Sequence, residues 1–269
     1  MCLDCGCQEG NEKKFFHTHD HDNNEHTHSH THPHPHGSEH SHDHTHEHTH
    51  DHEGSRVVTL EQNILAKNDE FAAKNKNFLK DKGIITVNII SSPGSGKTTL
   101  LEKTLERLKG KVNCSVIVGD QSTDNDAKRL EDKCDNVHQI ETHSSCHINA
   151  EQVSEALSLV IKDNTQILFI ENVGNLICPA AFELGEDFKI ALLSTTEGED
   201  KPIKYPVLFS DARIAVLTKT DLIPHLDWDL KKCRQYMREI NPGMFIFELS
   251  AKTGEGMDAW VDYLETLIA

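Results

Sequence analysis

The sequence predicts an α/β domain built on a doubly wound, mainly parallel β-sheet, preceded by a metal-binding N-terminal extension. From about residue 55 to the C-terminus, short apolar runs rich in β-branched residues alternate with amphipathic helical stretches. The first run leads into a glycine-rich loop, "SSPGSGKTT", which opens a helix. Before residue 55, cysteine and histidine replace the apolar residues that a folded core needs.

The predicted elements begin with one long helix, whose spaced apolar residues run from about Ser55 to Gly83. Seven apolar runs follow, and each has the composition of a strand buried on both faces. In chain order they are IITVNII, CSVIVGD, NVHQIET, QILFIEN, FKIALLST, RIAVLTK and MFIFELS. Because helical stretches intervene, we expect parallel strands with the functional residues at their carboxyl ends.

Composition divides the chain into three predicted parts. Residues 1–10 form a cysteine-rich head, residues 11–54 a histidine-rich tract and residues 55–269 the α/β domain. Sixteen of the 20 histidines lie between His17 and His52. Since the tract has almost no apolar residue to bury, we predict that it is disordered without metal.

The charge and the cysteine content exclude several classes of protein. The net charge is −17, and an acidic chain is a poor partner for nucleic acid or anionic membranes. No apolar run approaches the roughly 18–20 residues that span a bilayer, and the N-terminus lacks the layout of a signal peptide. We therefore predict a cytoplasmic protein whose eight cysteines are thiols or metal ligands.

The glycine-rich loop has the context of a phosphate-binding loop, because it joins a predicted strand to a predicted helix. Its backbone N–H groups and the helix N-terminus can surround phosphate oxygens. Lys97 is the predicted catalytic lysine that reaches the β- and γ-phosphates, and Thr98 offers a hydroxyl to Mg²⁺. Ser91 stands where the motif usually has its first glycine. The predicted phosphate-binding residues are Gly94, Ser95, Gly96, Lys97, Thr98 and Thr99.

Two carboxylates end other predicted strands. Asp120 follows "VIVG" and Glu171 follows "ILFI". Carboxylates at such positions in parallel-sheet NTPases reach Mg²⁺ or its water ligands, so Asp120, Glu171 and Thr98 form the predicted magnesium site. Asp120 is also the residue that we expect to orient the attacking water, and Asp124 and Asp126 compete with it for this role. The predicted fold is thus that of a P-loop NTPase domain.

The segment "LTKTD" predicts a guanine-binding site. The Asp221 carboxylate can accept two hydrogen bonds from the N1–H and 2-amino groups of guanine, which adenine cannot offer. The Lys219 stem can lie over the base. Thr218 replaces the asparagine of the usual Asn-Lys-x-Asp motif, and because that asparagine normally braces the loops, we expect reduced nucleotide affinity. The second wall of the pocket is predicted to be Ser250, Ala251 and Lys252.

Cysteine and histidine patterns at the N-terminus predict two kinds of metal binding. Cys2, Cys5 and Cys7 are soft thiolate ligands that suit nickel, copper(I), zinc or an iron–sulfur centre. The alternating histidines of residues 11–54 place imidazoles on one face of an extended chain, which suits storage of many ions.

A third cluster is predicted inside the α/β domain. Cys146 and His147 precede a helix, and Cys178 follows Glu171 by seven residues. If the two segments face each other, these three residues form a metal site close to the phosphates. Spacing alone leaves ordinary, partly buried cysteines as an equal alternative. His138 and His143 are possible extra ligands. The cysteines interpreted as structural are Cys114, Cys134 and Cys233.

Together these motifs resemble the hydrogenase nickel-incorporation GTPases, the HypB family of hydrogenase maturation. The resemblance rests on the head and tract and on SSPGSGKTTL, GDQSTDNDA, SCHINA, IENVGNLICPA, TEGEDKPIKYP and TKTDL. It implies a slow, regulatory GTPase that binds GTP or GDP with Mg²⁺ and forms a homodimer when GTP is bound. It also implies that nickel passes, with a HypA-type metallochaperone, to the hydrogenase large-subunit precursor.

The resemblance further implies two metal sites: a tight nickel site in the head, and a nickel or zinc site at Cys146, His147 and Cys178, at or near the dimer interface. Because the inner site lies so close to Glu171 in sequence, we expect metal affinity and nucleotide state to be linked. Two alternatives stay open. A urease-maturation nickel GTPase typically carries Cys-Pro-His where this chain has "SSCHIN". A nickel buffer would make the GTPase domain incidental, against which the intact Lys97 argues.

Overall fold

The computed structural model describes residues 53–120, 125–134, 136–142 and 145–268, with side chains from residue 63 onward, apart from that of residue 125. The cysteine-rich head and nearly all of the histidine-rich tract lie outside these ranges. The predicted ligands Cys2, Cys5 and Cys7 therefore stay predictions, as do the roles suggested for Asp124 and His143.

Seven strands form one sheet in the described part of the chain, and every strand pairing is parallel. Each strand falls on one of the seven predicted apolar runs. The strands are β1 (Ile85–Ser91), β2 (Cys114–Asp120), β3 (Val137–Glu141), β4 (Ile167–Glu171), β5 (Phe188–Ser194), β6 (Ile214–Thr218) and β7 (Phe245–Glu248). Their spatial order is β3-β2-β4-β1-β5-β6-β7, which confirms the predicted doubly wound sheet.

Helices cover both faces of this sheet. On one face, Val87 and Ile89 of β1 share a core with Leu105 and Trp260. On the other, two further cores join the first and fourth helices to β2 and β4, and the seventh and eighth helices to β5 and β6. The helices are α1 (Glu53–Asp81), α2 (Lys97–Leu108), α3 (Asn125–Glu131), α4 (Ala150–Val160), α5 (Cys178–Ala181), α6 (Lys201–Lys204), α7 (Pro206–Asp211), α8 (Leu230–Ile240) and α9 (Met257–Thr266), with a 3-10 helix at Thr220–His225.

Burial on both faces explains the unbroken apolar runs. All residues of β4, β5 and β6 are buried, and a strand without a solvent-facing side has no need of alternating polar residues. The parallel arrangement brings the carboxyl ends of the strands to one edge, where Ile89 pairs with Glu171 and Ser194 pairs with Thr218. The sheet thus collects the predicted site residues at that edge.

The first turn of α4 is fixed by a capping box. The Asn149 side chain accepts a hydrogen bond from the Gln152 backbone at 2.9 Å, and the Gln152 side chain accepts one from the Asn149 backbone at 3.0 Å. A residue of helix α1 also stabilises this turn, since the Asn75 side chain donates a hydrogen bond to the Ala150 carbonyl at 2.8 Å. The start of α4, three residues after His147, is therefore well defined.

The α1 helix is the longest of the described helices, but neither it nor any other described helix combines the length and the apolar character required to cross a membrane.

Candidate functional site

The loop between β1 and α2 curls around the N-terminus of α2. Gly94 has φ 71° and Gly96 has φ 99°, values that L side chains rarely adopt, so glycine is needed at both positions. Gly96 is also the N-cap residue of α2. The N–H groups of the first turn of α2 therefore lie at the carboxyl edge of the sheet, where they can bind an anion.

Lys97 is held in this loop by the residue that departs from the usual motif. Its Nζ donates a hydrogen bond to the Ser91 hydroxyl at 3.1 Å, and the side chain is buried. Burial lowers the pKa of Lys97, whereas the negative charges of Glu171 and Asp126 raise it. Ser91 therefore supplies an acceptor for an ammonium group that would otherwise be buried with fewer partners.

Glu171 provides a carboxylate oxygen for a cation. Thr98 donates its hydroxyl hydrogen to Glu171 Oε1 at 2.7 Å, while the buried Oε2 atom has no hydrogen-bond partner in the described part of the chain. Burial raises the pKa of Glu171 to about 7, although Lys97 and Thr98 oppose this. Mg²⁺ prefers such oxygen ligands, and a bound cation would satisfy Oε2. The residues present thus fit Mg²⁺.

A cavity of about 260 Å³ joins these groups. Its lining includes Lys97 and Glu171 and also Asp120 and Asp126, two of the three acids that sequence analysis considered for the water-orienting role. Asp120 and Asp126 therefore both line the cavity in which an attacking water would be oriented.

A second cavity, of about 80 Å³, lies on the other side of the loop and unites the residues predicted to read guanine. Asp221 Oδ1 accepts a hydrogen bond from the Ser250 hydroxyl at 2.6 Å, which orients the carboxylate. Lys219 Nζ donates to the Gly94 carbonyl at 2.8 Å, so its stem spans the phosphate loop. The lining residues are Ser95, Gly96, Thr99, Thr218, Lys219, Asp221, Ser250, Ala251 and Lys252.

The contacts of Thr218 contradict the expectation that replacing asparagine removes the brace of the phosphate loop. We expected reduced affinity because threonine would not brace the loops as asparagine does. In the structure the Thr218 hydroxyl donates to the Ser95 carbonyl at 2.8 Å, and both residues are buried. The brace between β6 and the phosphate loop is therefore present, supplied by a hydroxyl instead of an amide.

Glu197 is a loop-positioning residue that sequence analysis did not single out. Its Oε1 accepts hydrogen bonds from the Ser95 hydroxyl at 2.9 Å and from the Ser194 backbone at 3.2 Å. Trp228 donates its indole N–H to the Glu197 carbonyl at 2.8 Å. Two signals were available: Glu197 closely follows β5, much as Glu171 ends β4, and it lies in the segment TEGEDKPIKYP on which the resemblance partly rests. A single acid after a strand is too common a pattern to have identified it.

Cys146, His147 and Cys178 come together at the same edge of the sheet. Their ligand atoms all lie within 4.8 Å of one another, and Cys146 Sγ lies 3.8 Å from His147 Nδ1. His147 is only 4% exposed, and its ring packs against Phe182 with 4.0 Å between centroids. Two thiols and one imidazole suit nickel or zinc and leave a coordination position open.

The other described cysteines lie elsewhere. Cys134 and Cys233 are buried, and Cys114 is half-buried. Burial raises the pKa of Cys114 and of Cys233 to about 12, so both remain protonated thiols at neutral pH. They are therefore poor metal ligands, in line with the structural role predicted for them.

A glycine-rich loop between a parallel strand and a helix, with a buried lysine and a carboxylate at its mouth, is the phosphate-binding arrangement of P-loop nucleotide-binding proteins. This chain is a protein of that class.

Residues 85–248 match the family described as CobW/HypB/UreG, nucleotide-binding domain. The hydrogenase maturation factor HypB of Escherichia coli (strain K12) is 48% identical over 211 residues, which cover 78% of this chain and 73% of that protein. The chain belongs to the HypB family of hydrogenase maturation factors.

Two solved structures are similar over most of their length. The hydrogenase maturation factor HypB from Archaeoglobus fulgidus is 35% identical, with a TM-score of 0.72, and the match covers 76% of this chain and all of that one. HypB from Helicobacter pylori, solved in complex with nickel, is 35% identical with a TM-score of 0.69, and the match covers 74% of this chain and 93% of that one. These relatives share the P-loop sheet described above.

Proposed function

We propose that this chain is a GTP-hydrolysing nickel metallochaperone that delivers nickel to the hydrogenase large-subunit precursor. The observation that carries the proposal is the assembly of Cys146, His147 and Cys178 beside the phosphate cavity. A nickel-bound structure of a HypB relative supports the choice of metal. Nickel is the cargo here, and zinc can compete for the same ligands.

The nucleotide chemistry follows from the two cavities. Asp221, held by Ser250, selects guanine, and the α2 N-terminus with Lys97 binds the phosphates. Thr98 and Glu171 would hold Mg²⁺, which neutralises phosphate charge when bound. Asp120 orients the attacking water, with Asp126 as the alternative. Hydrolysis of GTP to GDP is slow on this proposal and times metal transfer.

The remaining parts of the proposal concern the N-terminal extension and the partners. Cys2, Cys5 and Cys7 bind one nickel ion tightly, and the histidine-rich tract of residues 11–54 stores further ions. The chain acts in the cytoplasm as a GTP-dependent homodimer and works with a HypA-type metallochaperone. These points rest on the resemblance described above and on the family to which the chain belongs.

The proposal is tested by replacing Lys97→Ala in a strain that lacks the wild-type gene. We expect hydrogenase maturation to be lost, because the variant cannot hold the β- and γ-phosphates, while the purified variant still binds nickel. Lys103→Ala on the exposed side of α2, where Lys103 pairs with Glu106, is the matched control and should restore maturation. Full maturation with Lys97→Ala would contradict the proposal and favour a nickel buffer. A deletion strain that loses urease but keeps hydrogenase activity would favour the urease alternative.

A further inference from the structure

We propose that Asn172 is the positioning residue through which the phosphate cavity sets the geometry of the Cys146, His147 and Cys178 cluster. The inference rests on the proposed function, because it assigns a physical connection between the nucleotide site and the metal site named there.

Asn172 belongs to the nucleotide site by position. It directly follows Glu171 at the end of β4, it lines the phosphate cavity, and it is only 1% exposed. Its backbone N–H donates to the Ile89 carbonyl at 3.1 Å, so the sheet still holds it. A movement of the Glu171 carboxylate on binding of a cation or phosphate would therefore act on the residue next to it.

The Asn172 side chain holds the segment that carries the metal ligands. Its Oδ1 accepts hydrogen bonds from the Ile148 N–H at 3.3 Å and from the Val173 N–H at 3.0 Å. Ile148 follows His147 directly, and Val173 begins the loop that leads to Cys178. Because two backbone N–H groups face this atom, it must be the oxygen of the amide. One carbonyl oxygen thus joins both ligand-bearing segments to the end of β4.

Two further hydrogen bonds fix the orientation of the Asn172 amide. Asn172 Nδ2 donates to Asn88 Oδ1 at 3.3 Å, and Asn88 Nδ2 donates to Glu186 Oε1 at 2.8 Å. All three side chains are buried. A chain of satisfied polar groups in a core has few alternative arrangements, so the Asn172 amide cannot turn without leaving a buried group unpaired.

Close packing adds to this connection at two glycines. A Cβ on Gly119, the residue before Asp120, would lie 2.4 Å from Ile148 Cδ1. A Cβ on Gly174, between Glu171 and Cys178, would lie 2.9 Å from Pro93 Cα in the phosphate loop. Both ligand-bearing segments therefore contact segments that bind nucleotide, with no space between them. Interiors packed in this way transmit small displacements instead of absorbing them.

Asn68 provides a matched comparison. Like Asn172, it is a buried asparagine, 6% exposed, and its Oδ1 accepts a hydrogen bond from the same segment, from the Ala150 N–H at 2.9 Å. Asn68 lies on α1, however, and it does not line either nucleotide cavity. Loss of either side chain should destabilise the segment, but of these two asparagines only Asn172 lines the nucleotide site.

The test measures how nickel changes the affinity for a non-hydrolysable GTP analogue, using the full chain. The dissociation constant of the analogue is measured without and with saturating Ni²⁺, and the first value is divided by the second. This ratio is then divided by the corresponding ratio for Cys146→Ala, which removes the contribution of the N-terminal metal sites. By reciprocity this ratio equals the effect of nucleotide on nickel affinity at the inner site, and couplings of about 5- to 150-fold are typical.

In Asn172→Ala we expect this ratio to fall to within about twofold of unity. Because Asn172 lines the phosphate cavity, the analogue affinity without nickel is measured as well, and a loss of nucleotide binding that is equal with and without nickel cancels in the ratio. In Asn68→Ala we expect the wild-type ratio, even if the melting temperature falls by a similar amount. If Asn172→Ala does not fold, Asn172→Ser replaces it, because its hydroxyl is too short to reach both N–H groups, and the ratio should fall likewise.

A wild-type ratio in Asn172→Ala, or an equal loss in Asn68→Ala, would overturn the assignment of Asn172 while leaving the proposed function intact. A ratio of one in the wild-type protein would instead overturn the proposed link between metal and nucleotide, and the role of Asn172 with it.

Discussion

The phosphate cavity and the thiol–imidazole cluster lie at the same edge of one sheet, yet they are built differently. The phosphate-binding loop of the cavity is one continuous segment between β1 and α2, and side chains such as Ser91 and Thr218 hold that loop in place. The cluster draws its ligands from two separate segments, which meet through hydrogen bonds to Asn172. The phosphate-binding loop therefore has most of its shape from contiguous residues, with a brace from β6, whereas the metal cluster exists only where two distant segments meet.

The largest effect is expected at the base-reading end of the nucleotide site. The two charge-assisted hydrogen bonds from guanine to Asp221 are worth about 3–6 kcal/mol together. Asp221→Asn removes the charge and replaces one accepting oxygen by an NH2 group that faces a guanine N–H, so GTP affinity should fall at least about 100-fold. Xanthosine triphosphate, which has a carbonyl in place of the 2-amino group, should gain affinity. Competition binding with both nucleotides checks this. Nickel affinity without nucleotide should not change. A parallel loss of nickel affinity would show that the metal cluster depends on the base-reading residues.

Removing one ligand tests the cluster alone. Cys146→Ala should lower nickel affinity at the inner site at least about 100-fold, since losing a partner that only orients a ligand already costs 10- to 100-fold. Cys146 is half-buried, so the metal-free melting temperature should change little. Cys233→Ala is the control, because that fully buried thiol lies in the core beside Met237.

For Cys233→Ala we expect a lower melting temperature and unchanged nickel binding. Nickel titration of both variants, in a chain whose head cysteines are replaced by serine, together with thermal unfolding, separates the two effects. If Cys146→Ala bound nickel as the wild type does, the cluster would not be the inner site.

The buried carboxyl of the phosphate cavity predicts a pH dependence. Burial raises the pKa of Glu171 from 4.5 to about 7, so the folded, metal-free protein holds a proton that the unfolded chain releases between those pH values. Stability should therefore fall as the pH rises through this window, by about 2–3 kcal/mol from this group. Glu171→Gln removes the contribution, and urea unfolding between pH 5 and 7 should show a smaller decrease. Equal slopes for both proteins would contradict the assigned burial effect.

The smallest effect is expected at the brace between β6 and the phosphate loop. Thr218→Val removes the hydroxyl that donates to Ser95 while keeping the shape of the side chain, and leaves a buried carbonyl without its donor. We expect a loss of about 1 kcal/mol in GTP binding, near fivefold in affinity. Thr218→Ser keeps the hydroxyl and should bind GTP as the wild type does, as measured by calorimetry. An unchanged affinity in Thr218→Val would show that the loop holds its shape without the brace.

Much of the nucleotide site could be predicted because its residues are neighbours in sequence. The run from Gly94 to Thr99 and the pair Lys219 and Asp221 each sit where a strand ends, and all seven strands were visible as apolar runs. The roles of Glu197 and Asn172 could not be predicted in this way. Their partners lie 102 and 24 residues away, and a hydrogen bond over such a separation depends on how the strands are ordered.

Thr218 shows a related limit. Comparison with a motif shows that threonine replaces asparagine, but it does not show which acceptor the threonine hydroxyl can hydrogen-bond. Whether a hydroxyl spans the distance to the Ser95 carbonyl depends on the spacing between β6 and the phosphate loop, which only the folded sheet sets. The predicted loss of bracing was wrong for that reason.

The same hydrogen bond has a consequence for the order of folding. It joins residues 123 positions apart, so a chain emerging from the ribosome completes the phosphate loop sequence long before the residue that braces it. Contacts of such long range form late, because the intervening chain must first be ordered. Tight GTP binding should consequently begin only after β6 and the segment of residues 250–252 have joined the fold, so nucleotide binding reports that nearly the whole domain has been made.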